Sequence, residues 1–105
     1  MSSGIRPACD RIASALTGVT QSSSGALAQW RYQGRLVARQ LDETHVVIRT
    51  DFAPRHQLLS SYPATFHLPA KYERHMMVVA DLEAGDDGAI EDALMAAWAL
   101  QAGHG

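Results

Sequence analysis

The chain has 105 residues, a formal net charge of −2, 47% hydrophobic and 19% charged residues. These figures fit one globular domain and exclude intrinsic disorder, while apolar runs of only a few residues exclude a membrane-spanning helix. Cys9 has no second cysteine to pair with, and the opening residues lack the apolar stretch of a secretory signal, so a reduced, cytoplasmic setting is expected.

Residues 5–16 predict a helix. Ile5, Ala8, Cys9, Ile12, Ala13 and Leu16 recur at three- and four-residue steps, Pro7 suits only a first turn, and Gly18 suits a left-handed stop. Cys9, on that apolar stripe, is read as a buried, inert thiol. Gln21–Gly25 is too polar and too small to pack, and reads as a connector. Three runs with strand character follow, at Leu27–Tyr32, Arg35–Leu41 and His45–Thr50. They are separated by Gln33-Gly34 and Asp42-Glu43-Thr44, each short enough for a hairpin. The composition leaves their register open, and a one-residue slip would exchange the faces of every side chain.

Asp51 can cap a short helix over Ala53–Ser60, with Pro54 in its first turn and Leu58 and Leu59 facing inward; Tyr62-Pro63 stops it. Thr65–Leu68 reads as a fourth strand ended by Pro69. Met76–Asp81, apolar on both faces, reads as a fifth and central one. Asp86 and Asp87 bring capping chemistry to a last helix over 87–102, with Ile90, Leu94, Ala97 and Trp98 on one face. The expected fold class is α+β, in the order α-β-β-β-α-β-β-α. It would be a single domain with its core over 6–102, an antiparallel sheet covered by N- and C-terminal helices.

Charge divides along the chain. All nine Lys and Arg, with five acids, fall in residues 1–74, net +4; residues 75–105 hold six acids and no Lys or Arg, net −6. Such a split can steer a partner of opposite sign. The plainer alternative is that the halves neutralise each other or are solvated faces.

Several segments, in order, resemble one family. Leu16-Thr17-Gly18-Val19-Thr20 resembles the Leu-Pro-Gly-Val-Thr element of MmcQ/YjbR-like proteins, and Gly34-Arg35-Leu36-Val37-Ala38 their Gly-Lys hairpin. His45–Asp51 resembles the strand before their short helix. Tyr62-Pro63-Ala64-Thr65-Phe66 and Tyr72 resemble a Pro-x-Thr-Phe … Tyr pattern of one branch. Met77-Val78-Val79 sits where the family has a Val-x-Val strand, and Ala96-Ala97-Trp98-Ala99-Leu100 resembles its closing segment. The resemblance implies a CyaY-like fold, shared with frataxin, and a proposed "double-wing" DNA-binding role. One departure stands out: where many relatives have Asn-Lys-x-His-Trp, this chain has Lys71-Tyr72-Glu73-Arg74-His75-Met76.

The residues that point to a ligand are basic. Arg31, Arg35, Arg39, Arg49 and Arg55 fall within 25 residues, mostly on the three-strand run. Arginine offers a planar fork suited to phosphate, and neighbouring strands can bring several onto one face. Lys71 and Arg74 would make a second contact, and Trp30, Tyr32 and Tyr72, with His75, would supply stacking or pocket surface. The alternative is that the arginines pair with Asp42, Glu43 or Asp51. The histidines lack metal-ligand spacing, and no nucleophile elbow, phosphate loop or dinucleotide fingerprint is present, so neither metal, cofactor nor enzymatic activity is expected. The expected partner is DNA or another anion. Alternatives are a small molecule held between the sheet and Phe66–His75, or a protein partner. A monomer is expected, with homodimerisation through a strand edge as the other state.

Overall fold

The computed structural model describes residues 16–24 and 27–103. The helix expected over 5–16, with Cys9, lies outside the described residues, except for Leu16. Among the described residues, six strands form one sheet: β1 (Val19–Ser24), β2 (Leu27–Tyr32), β3 (Arg35–Gln40), β4 (His45–Arg49), β5 (Phe66–His67) and β6 (Met77–Asp81). Their order across the sheet is β1-β2-β3-β4-β6-β5, and every neighbouring pair is antiparallel. Helix α1 (Phe52–Ser61) follows β4, and helix α2 (Asp87–Gly103) follows β6.

One element departs from the sequence reading. The polar segment taken as a connector is strand β1, paired residue for residue with β2 from Val19–Tyr32 to Ser24–Leu27. An outermost strand needs a backbone ladder on one side only. It can therefore carry Thr, Gln and Ser, where an interior strand needs apolar faces. The other strands and both helices appear within a residue or two of their expected bounds, and β6 is an interior strand as expected.

The hairpins follow from local chemistry. Gln33 and Gly34 have φ of 51° and 83°, the paired left-handed conformation that matches the twist of two flanking strands in a two-residue turn. Asp86 caps α2: its Oδ1 accepts the Ala89 N–H at 3.0 Å. Asp51 stands at the N-cap of α1, but its side chain makes no cap bond. Arg35 closes the far end of α2. Its Nη1 donates to the Gln101 carbonyl at 3.0 Å, and Gln101 Nε2 donates back to the Leu36 carbonyl at 2.7 Å. A guanidinium there also meets the negative end of the helix dipole.

The sheet has two unlike faces. On one, Trp30, Val37, Ala38, Val46, Ile48, Phe66, Val78 and Ala80 pack against Ala89, Ile90, Ala93, Leu94 and Ala97 of α2, with Leu58 and Leu59 of α1 half-buried against the same core. Val37 and Ala38 are neighbours in sequence, yet both enter this core. A bulge makes that possible: the register shifts between Trp30–Ala38 and Arg31–Leu36, leaving Val37 as the extra residue of β3. Among the described residues, the opposite face carries no α-helix. A smaller cluster lies there, in which Tyr72 is packed on Val47 and Val79 beside Leu41, Leu68 and Met77.

Candidate functional site: the open face of the sheet

Register assigns the arginines. Opposed residues of antiparallel strands share a face, so Gln29, Arg39, Val47, Val79 and His67 form one row across the open side. Arg31, two residues from Gln29, stands beside that row. Its Nε donates to Gln29 Oε1 at 3.0 Å and its Nη1 to the Gly34 carbonyl at 3.0 Å. Arg39 Nη2 donates to the Tyr72 hydroxyl at 2.9 Å. Lys71 Nζ lies 5.2 Å from the centroid of the same ring, and Arg74 is exposed on the segment that follows.

The other arginines have structural duties. Arg35 faces the helical layer and ties β3 to the end of α2. Arg49 Nη1 donates to the carbonyls of Thr50 and Met76 at 3.2 and 3.1 Å and sits 4.0 Å from Asp51. Arg55, on α1, clamps the segment between the short 3-10 turn (Ala70–Tyr72) and β6. Its Nη1 reaches the carbonyls of His75 (2.7 Å), Tyr72 (3.3 Å) and Met77 (3.4 Å), and its Nη2 that of Glu73 (3.0 Å). Arg55→Ala is expected to cost about 2 kcal/mol, since several carbonyls lose a charged donor together. Hydrogen exchange should then quicken over residues 72–77 and leave β2 and β3 unchanged. Arg55→Lys should recover part of the loss, because an ammonium cannot span the same spread of acceptors.

The expected stacking residues are corrected by burial. Trp30 is 0% exposed, inside the helix-side core. Tyr72 is 7% exposed, with its ring packed on Val47 and Val79. Tyr32 lies on the helix side against the same core, its ring next to Gly18. Trp30 and Tyr72 offer no ring face to a base, and Tyr32 is half-buried against the helix-side core. His75 is exposed, and contributes its backbone carbonyl to the Arg55 clamp. The pocket expected between the sheet and Phe66–His75 is occupied by the Tyr72 side chain. An apolar groove of about 280 Å³ lies instead on the helical side, between Leu58 and Tyr62 of the α1 segment and Ala93 and Ala96 of α2.

At the far end of the open face, His45 sits between two carboxylates. Its Nδ1 is 3.0 Å from Asp42 Oδ1 and its Nε2 is 3.8 Å from Asp81 Oδ2. Asp42 is held below the usual carboxylate range by the Thr44 N–H, with His45 adding to the effect. Asp81 is lowered chiefly by the Ala84 N–H, then by that of Glu83 and by the nearby His45 and His67. Among the described residues, no group of three His, Cys, Asp or Glu side chains is placed to hold a metal ion.

The charge division of the sequence follows the layers only in part, since Arg35 and Arg55 belong to the helical side and Asp42 and Asp81 flank His45 on the open face. Asp87, Glu91 and Asp92 are exposed on α2, while Arg31, Arg39, Lys71 and Arg74 belong to the open face and the segment that crosses it. Among the described residues, none of these four cations has a carboxylate within ion-pair distance. The expected pairing of arginines with Asp42, Glu43 or Asp51 is confined to Arg49 and Asp51. No known family, curated protein or solved structure matches this chain.

Proposed function

We propose that this protein is a non-enzymatic binding module, and that its open sheet face holds a nucleic-acid backbone or another anion. The observation that carries this reading is the state of Arg31 and Arg39. Both guanidiniums are held from behind by neutral acceptors, the Gln29 amide, the Gly34 carbonyl and the Tyr72 hydroxyl, so each keeps its full charge and its remaining N–H edge. Fixing an arginine before the ligand arrives lowers the ordering cost of binding. Lys71 and Arg74 extend the same charge. With Trp30 and Tyr72 buried and Tyr32 on the helix side, contact is to phosphate, without base readout. The resemblance to MmcQ/YjbR-like proteins supports the same reading, with a CyaY-like arrangement, and the lone Cys9 supports a cytoplasmic place of action.

Fluorescence anisotropy with labelled single- and double-stranded DNA tests it. Three or four phosphate contacts give a slope of log K against log salt of about −2 to −4. Arg39→Ala should reduce the slope by about one. Absence of binding at low salt, or binding that ignores salt, would overturn the proposal.

A further inference from the structure

Arg31 and Arg39 do not simply share a face. They border a single concavity of about 260 Å³, together with Leu27, Ala28, Gln29 and Gln40. Gln29 lies directly opposite Arg39, and Arg31 is diagonal to it, two residues along β2. The bulge falls between these two pairings, where the ribbon twists and the even spacing of the ladder is broken. Three of the donors are already in use: Arg31 Nε to Gln29, Arg31 Nη1 to Gly34, Arg39 Nη2 to Tyr72. Arg31 Nη2 and the Nε and Nη1 of Arg39 have no acceptor among the described residues, nor has the amide nitrogen of Gln29. Gln40 Oε1 accepts the Ala28 N–H at 3.0 Å, which fixes the wall of the concavity.

We infer that this concavity is a site for a terminal phosphate, a phosphomonoester dianion. The inference rests on the anion-binding reading above and narrows it. A backbone phosphodiester carries one negative charge, and its neighbours spread along a track. A phosphomonoester carries close to two charges at one point near neutral pH, with three acceptor oxygens. Two guanidiniums bordering one hollow, with the Gln29 amide in the same lining, match the second distribution. The acidic outer surface of α2 and the net charge of −2 disfavour a long polyanion more than a single compact one.

The test is a pair of single-stranded oligonucleotides of one sequence, with a 5′-phosphate or a 5′-hydroxyl, titrated at low salt. Inorganic phosphate serves as competitor. The 5′-phosphate form should bind about tenfold more tightly, and inorganic phosphate should erase that difference. Arg31→Ala or Arg39→Ala should bring the two forms together. Arg31→Lys and Arg39→Lys, checked for folding by circular dichroism, should retain the salt slope but lose most of the preference, since lysine lacks the fork. Equal affinity for the two oligonucleotides would overturn this inference and leave the anion-binding reading standing. Failure of both to bind would overturn both.

Discussion

Replacing Trp30 with alanine should cost about 3–5 kcal/mol, the range for deleting a large buried aromatic, and so leave little of the stability of a domain this size. The residue is fully buried and lies in the core cluster with Val37, Leu94 and Ala97. Its neighbours on β1 and β3 are fixed by ladder pairing and cannot close over the space. Urea titration should show a large fall in midpoint. Trp30→Phe is the informative companion. The indole Nε1 is buried without a hydrogen-bond partner among the described residues, a defect worth about 1–3 kcal/mol. Phenylalanine removes that donor, so its cavity cost is partly offset and the net loss should stay below about 2 kcal/mol. A loss for Trp30→Phe close to that of alanine would mean that the nitrogen finds a partner in solution.

Gly85→Ala is expected to destabilise by about 3 kcal/mol through overpacking against backbone. A Cβ at Gly85 would run into the carbonyl oxygen of Asp81, and would also lie 3.0 Å from Thr65 Cγ2 and 3.2 Å from Ile90 Cδ1. The neighbours are held in place. Asp81 Oδ1 accepts the Glu83 and Ala84 N–H groups, its own N–H donates to the Thr65 carbonyl at 2.8 Å, and Thr65 Oγ1 accepts the Asp86 N–H at 3.0 Å. This turn delivers the chain from β6 into α2, so the damage should appear in both. Gly103→Ala is the control. Nothing lies within 4 Å of its Cβ, and alanine there should be neutral or stabilising by up to about 1 kcal/mol.

Element type was legible in the residues because it is written locally. Gln33-Gly34 marks its hairpin, Asp86 its cap, and the apolar stretch after Met76 its interior strand. Face assignment was not legible. Arg31, Arg35 and Arg39 occur at four-residue steps, but the two-residue turn pairs Tyr32 with Arg35 and so sends Arg35 to the helical layer, opposite Arg31. The extra residue at Val37 then breaks the parity of β3 and puts Arg39 opposite Gln29, on the face of Arg31. A bulge of this kind leaves no residue signature, since Val37 suits a regular strand equally well. Tyr72 and Trp30 raised the matching difficulty. An aromatic ring serves either a core or a ligand, and only the position of the surrounding strands decides which. The polar strand β1 was missed because its partner, and not its own composition, makes it a strand.

The strand order has a consequence for how the chain matures on a ribosome. The first four strands are joined by successive hairpins and can pair as they emerge. Strand β5 cannot, because its partner among the described residues is β6, which is made after it and must enter between β5 and β4. Until Asp81 has been synthesised, one flank of β4 stays bare, and Val46, Val47 and Ile48 have no neighbour on that side. A nascent or truncated chain ending before Met77 therefore presents an apolar strand with an open ladder, the form of intermediate most prone to pair with another copy of itself.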